Sequence, residues 1–301
     1  MIYICAQPAI KYFAWQVDVF INSLLNVGVN QQEIHIINSS DKGIDDYFKK
    51  LENKYPNVLF EYYEDNRSYK GYIPSIKQHL LYHHYSKYNY LQNEVIFLMD
   101  ADAILTKPID FSGLLKDNVW YFSDTNSYLN YDYLISKGDD ILNEMLNIAG
   151  ISEYLIKANN NNAGGAQYLF KNVHKEYWEE VVEMSHALYT TISELSNKKA
   201  AKDKEYFPIQ IWTAEMWALL WVAWKNGQMT LTPNKLDFCW ATDVVNRWDE
   251  TSIFHNAGVT TDATNLFYKG KYINEFPDLN LKIDESKCSS RYYEIIKQTL
   301  A

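Results

Sequence analysis

The stretch Val95-Ile96-Phe97-Leu98-Met99-Asp100-Ala101-Asp102-Ala103-Ile104-Leu105 decides how the rest of the chain is read. Its first five residues are apolar without a break. A run that short reads as a strand buried on both faces, the kind found in parallel sheets. Asp100-Ala101-Asp102 then stands at the strand's carboxyl end. Side chains two apart in an extended segment point to the same side. Both carboxylates can therefore face one hard cation, Mn²⁺ or Mg²⁺. Such a cation also takes oxygens from a diphosphate and neutralises the charge that develops as the diphosphate leaves. A pair of solvated turn aspartates would fit the triplet alone. The apolar residues on both sides favour the metal reading, because acids at the mouth of a core strand are costly without partners.

Outward from this stretch, strands and helices alternate. Residues 2–6 read as a buried strand. Residues 12–27 carry Phe13, Val17, Phe20 and Leu24 at helical spacing and stop at Gly28. Strands are expected at Glu33–Asn38 and Asn57–Tyr63, with a polar helix over 44–54 between them. Pro74 opens a helix that runs to about Tyr88. This alternation predicts an α/β sheet, mostly parallel, whose ligands bind beyond the carboxyl ends of its strands. Ala6, Gln7 and Pro8, at the end of the first strand, are then expected to line a nucleotide pocket. The later part is less regular. A strand is expected over Asn118–Phe122, helices over 173–196, 212–226 and 286–300, and a short strand or turn at Ile253–Asn256. Asn159–Ala166 reads as a loop leading into Gln167–Phe170, and Lys198–Lys204 as an exposed loop. No clean linker interrupts the chain. A single domain is expected, with a nucleotide-binding half over 1–105 and an acceptor half over 106–301.

Composition narrows the partners. A formal charge of −10 argues against non-specific nucleic-acid binding. The three cysteines, Cys5, Cys239 and Cys288, are too far apart for a zinc motif and too few for a disulfide framework, which suits a reducing setting. No signal peptide or apolar run long enough to span a bilayer is read, so a cytoplasmic protein is expected. The 25 Tyr and 9 Trp serve packing first, and offer flat faces for sugars or bases second.

Several other residues carry possible chemistry, each beside a plainer reading. Glu215 is the single acid of the apolar segment Trp212–Trp217. It is either a partly exposed helix residue or a carboxylate in an aromatic pocket, positioning a sugar hydroxyl or acting in the chemistry. His255 is either a hydrogen-bonded structural histidine or a ligand, and Gly258 nearby permits close backbone approach. Gly164 and Gly165, ahead of Gln167, form either a tight turn or a backbone approach to a donor sugar. Lys77, Lys269 and Lys271 are solvated lysines or diphosphate contacts. His79, His83 and His84 lack the flanking acid of a zinc helix and read as a helix surface.

Together these segments resemble glycosyltransferases of the GT-A fold, a Rossmann-like α/β sheet flanked by helices. More closely they resemble the plant and algal peptidyl-serine and hydroxyproline O-glycosyltransferases. Tyr12-Phe13-Ala14-Trp15-Gln16 is similar to that family's Tyr-Phe-x-Trp-Gln. Tyr72-Ile73-Pro74 falls where the family has Asn-Lys-Pro, with the proline kept. Leu98–Ile104 resembles its Leu-Asp-Ala-Asp segment, and Trp212–Trp217 its Trp-Val-x-Glu-Met-Tyr segment. The resemblance spans about residues 1 to 260. It implies a nucleotide-sugar donor, a metal on Asp100 and Asp102, and Glu215 near the donor sugar, with Trp15 and Ala101 among the donor contacts. His255–Gly258 is further similar to the His-x-x-Gly of glycogenin-like retaining transferases. That likeness implies His255 as third metal ligand and Lys269 or Lys271 on the diphosphate.

The expected activity is transfer of a sugar from a UDP- or GDP-sugar to a hydroxyl acceptor, a glycan or peptide, with retention favoured because no acceptor-deprotonating base stands out. Three other readings remain: a nucleotidyltransferase, which would bring a Gly-rich basic loop that Cys5–Lys11 lacks; a non-catalytic glycan-binding protein; and a DNA-base glycosyltransferase, against which the negative charge argues.

Overall fold

A computed structural model describes all 301 residues. In chain order, β1 (Ile2–Pro8), α1 (Lys11–Asn26), β2 (Ile34–Ser39), α2 (Asp46–Lys54), β3 (Leu59–Tyr63), α3 (Ile76–Lys87), β4 (Val95–Leu98) and β5 (Ala103–Leu105) come first. Next are β6 (Trp120–Asp124), α4 (Asn126–Leu129), α5 (Tyr131–Ile135), α6 (Asp139–Ala149), α7 (Glu153–Ala158), β7 (Gly164–Lys171), α8 (Lys175–Lys202) and α9 (Ala214–Lys225). Last come β8 (Thr230–Leu231), β9 (Phe238–Trp240), α10 (Asn246–Glu250), β10 (Ile253–His255) and α11 (Cys288–Leu300). The α/β class expected from the alternation holds, and no helix is long and apolar enough to cross a membrane.

The residues gather into two compact units. The first comprises Met1–Asp65, Ile96–Gly113 and Asn234–Ala301. Its strands run in the order β3-β2-β1-β4, all parallel, with Ile4 paired to both His35 and Leu98. β1 is buried along its middle because the sheet covers it on both sides, as its unbroken apolar run requires. A second sheet, β5-β10-β9, joins sequence-distant strands: β10 runs antiparallel to β5 and parallel to β9. Trp15, Ile104, Phe254, Phe267 and Tyr292 pack under it with α11.

The second unit comprises Asn66–Val95 and Leu114–Pro233. Here β6 lies between β7, antiparallel to it, and β8, parallel to it. The β6–β7 register shifts after Phe122, so that Ser123 faces Gly165. Ala166, in the extra length this creates, takes φ 65°, a left-handed conformation costly for a residue with a Cβ.

Four expectations change. Gly164 and Gly165 lie in a buried strand, not in a loop. A Cβ on Gly164 would stand 2.6 Å from Phe122 Cβ and 2.9 Å from the Ser123 carbonyl oxygen, and one on Gly165 would stand 2.2 Å from Met216 Cε. Close packing therefore accounts for both glycines. Lys198–Lys202 continues α8 instead of forming a loop, supported by Ala200 and Ala201, by Lys198 on Glu194 at 2.5 Å and by Lys199 on Asp140 at 2.5 Å. His79 and His84 are buried, not on a helix surface. Helices α4 to α7 fill a segment for which no element was expected; three of them are six residues or shorter, too brief for a hydrophobic period to show.

Candidate functional site

Asp100 and Asp102 follow β4 after Met99, but not in an extended segment. The Ala103 amide donates to the Asp100 carbonyl oxygen at 3.0 Å, closing a tight turn between β4 and β5. The pair still faces one place. The third member comes from β10. Antiparallel pairing sets His255 opposite Ala103, and the Asn256 amide donates to the Asp102 carbonyl oxygen at 2.9 Å. His255 Nε2 then lies 3.4 Å from Asp102 Oδ1 and 4.0 Å from Asp100 Oδ2. One ligand atom from each of the three residues lies within 4.8 Å of the others, so the group could hold a metal ion.

Charge around Asp102 is tightly balanced. Its side chain is buried, and the Lys269 ammonium pairs with Oδ2. Burial alone would push the carboxyl up; Lys269 and His255 outweigh it and hold the group well below the usual carboxylate range. Desolvation works against the Lys269 charge, but Asp102, Tyr12 and Asp100 together outweigh it and raise the group. Of the two lysines, Lys269 meets Asp102, while Lys271 is exposed.

Two neighbours escaped the sequence reading. The Trp240 indole stacks on the His255 imidazole, with centroids 5.6 Å apart and planes 21° apart. Nothing local marks Trp240 for this; it follows from β9 pairing with β10, which sets the two residues opposite each other. Asn256 carries a buried side-chain amide with no hydrogen-bond partner, the kind of group that a ligand or ordered water satisfies.

The remaining residues of the first unit separate by burial. Ala6, Gln7 and Pro8 end β1, where Gln7 donates to Asn38 Oδ1 at 2.6 Å. Ala101 lies in the acidic turn and is buried. Gly258 is exposed at φ 78°. Trp15, grouped with the donor contacts by resemblance, is fully buried edge-on to Phe267 at 5.8 Å, which gives its ring to the core.

Glu215 belongs to the second unit, at the start of α9, and is buried rather than partly exposed. The Tyr72 hydroxyl donates to its Oε2 at 2.6 Å and accepts from its backbone amide at 3.0 Å. The Lys77 ammonium stands 3.4 Å from Oε1. Burial first, and then Glu215, push the Tyr72 phenol far above its ordinary value, so it stays a donor. Lys77 thus balances a buried carboxylate. Gln167 is fully buried in β7 of the same unit.

No protein-family model and no protein of curated function matches the chain. Solved structures do. A structure of WbbM, a bifunctional glycosyltransferase, has 11% identity and a TM-score of 0.50 over 98% of this chain and 49% of its own. A structure of an active-site mutant of LgtC has 11% identity and a TM-score of 0.42 over 87% of this chain and 91% of its own. The chain therefore shares its fold with part of a glycosyltransferase and spans about half the length of the WbbM structure. These comparisons lend no support to the narrower resemblance to plant and algal peptide O-glycosyltransferases.

Proposed function

We propose that this protein is a metal-dependent glycosyltransferase using a nucleotide-sugar donor, with a UDP-sugar favoured. The observation that carries the reading is the grouping of Asp100, Asp102 and His255 at the carboxyl end of β4, in a fold shared with a glycosyltransferase.

The donor set suits a divalent cation. Two carboxylates and one imidazole match Mn²⁺ well and Mg²⁺ acceptably. The Lys269 ammonium already on Asp102 is a positive charge of the kind this carboxylate is arranged to receive. A cation held there would supply neutralising charge to the leaving diphosphate. Lys269 supplies a second positive charge for the same oxygens. In the reaction, the bond between the donor's anomeric carbon and the diphosphate oxygen breaks, and the nucleoside diphosphate departs with the electron pair. The acceptor hydroxyl bonds to the anomeric carbon, and its proton passes to the departing diphosphate oxygen. Glu215 is assigned to a sugar hydroxyl: its Oε1 meets only Lys77, so a lone pair remains for a hydroxyl donor. Because Glu215 is held by Tyr72 and Lys77, a role as acceptor base is not favoured, and retention of configuration is.

A thermal-shift screen of UDP-, GDP-, CMP- and ADP-sugars with Mn²⁺, Mg²⁺ or EDTA tests this. A ligand specific to the folded state raises Tm by mass action. A cation-dependent rise with one nucleotide class is the expected outcome. No rise with any donor, from protein that unfolds cooperatively, overturns the reading.

A further inference from the structure

Tryptophan is seldom left in water, because its large apolar surface is better buried. This chain has nine, and Trp212 alone is exposed, at 56%. Its backbone is nonetheless firmly mounted. Trp212 lies in a short 3₁₀ turn, Ile211–Thr213, that leads into α9. The Tyr72 hydroxyl stands 2.7 Å from its carbonyl oxygen, and the two rings meet edge to face at 6.0 Å. Thr213 Oγ1 donates to the Gln210 carbonyl oxygen at 2.8 Å, tying the start of the turn.

The polar groups beside this ring are those already described. Tyr72, which touches the Trp212 ring, also holds Glu215, and Glu215 faces Lys77. A flat apolar face therefore lies one ring away from a carboxylate and an ammonium that keep 7% and 16% of their side chains exposed, all within one unit. A pyranose has the matching shape: one face of C–H groups and a rim of hydroxyls that both donate and accept. Stacking takes the face, Glu215 accepts from a hydroxyl, and Lys77 donates to one.

We propose that Trp212 is the stacking platform of a carbohydrate subsite that binds the acceptor, so that the acceptor is a glycan and not a peptide. The word acceptor rests on the transferase reading; the carbohydrate subsite does not. A protein partner fits less well. A stable interface buries on the order of 1,000 Å² or more, whereas the polar groups here are small, paired and specific. An anionic membrane surface fits poorly with a chain of net charge −10.

Saturation-transfer NMR on the full chain tests the subsite, with methyl glycosides of glucose, galactose, mannose, fucose and xylose as probes. Transfer to the C–H face of at least one glycoside is expected, lost in Trp212→Ala and retained in Trp212→Phe. No transfer to any glycoside, or transfer undiminished in Trp212→Ala, overturns the proposal. Once turnover is measured, Trp212→Ala is expected to raise the acceptor KM about tenfold. A rise confined to the donor KM would assign the ring to the nucleotide, and the proposal would fall. The two readings fail separately. Glycoside binding without any nucleotide-sugar response leaves the subsite standing and removes the transferase, while the reverse pattern removes the subsite alone.

Discussion

His255 Nε2 lies 3.4 Å from Asp102 Oδ1 because β10 pairs antiparallel with β5 and sets His255 opposite Ala103. The grouping of His255 with the two aspartates is thus a property of strand pairing, and the Trp240 indole stacks on the imidazole.

If Asp102 anchors the cation, Asp102→Asn should lower donor turnover by roughly 100-fold or more, as loss of a central electrostatic group does. It should also abolish any cation-dependent rise in Tm. Full activity of the variant in metal-limited buffer would remove Asp102 from the site.

Trp240 touches the imidazole and not the carboxylates, so its effect should be on orientation. Trp240→Ala is expected to weaken the cation's apparent affinity by about tenfold, in the range of groups that orient a ligand. Titration of Tm against Mn²⁺ measures it. An unchanged midpoint would make the stacking incidental.

Tyr72→Phe deletes the hydroxyl on Glu215 and leaves a buried carboxylate oxygen without its donor. The expected cost is about 1–3 kcal/mol of stability, read by urea denaturation. A loss below about 0.5 kcal/mol would mean that water replaces the hydroxyl.

The two glycines of β7 should respond differently. An added Cβ at Gly165 meets the mobile end of Met216, which can swing aside. At Gly164 it meets Phe122 Cβ and the Ser123 carbonyl oxygen, neither of which can give easily. Gly165→Ala should cost about 1 kcal/mol and Gly164→Ala about 2–3 kcal/mol. Equal costs would contradict this packing account.

His35 supplies a pH dependence. Burial pushes its imidazole down to about 4, against a smaller opposing pull from Glu61. Between about pH 6.5 and 4 the unfolded chain binds the proton and the folded chain does not. Stability therefore falls as the pH drops through that window, by about 3 kcal/mol in all. His35→Phe should flatten the stability–pH profile between pH 6.5 and 4. A profile unchanged by the substitution would assign the slope to other groups.

Local pattern was enough for much of the fold. The apolar run 95–99, the helical spacing over 12–27 and the strands around 34–39 and 59–63 report which face each element buries, and burial follows a period of two or about 3.6 residues. The same logic placed Asp100 and Asp102 at a strand's carboxyl end. What local pattern could not carry is any relation set by pairing between distant segments. The meeting of His255 and Lys269 with Asp102, the indole against His255, the burial of Glu215 under Tyr72, and the packing that demands glycine at 164 all arise there. A residue's spacing in sequence reports its own face of an element; only the folded chain decides which side chain stands opposite it.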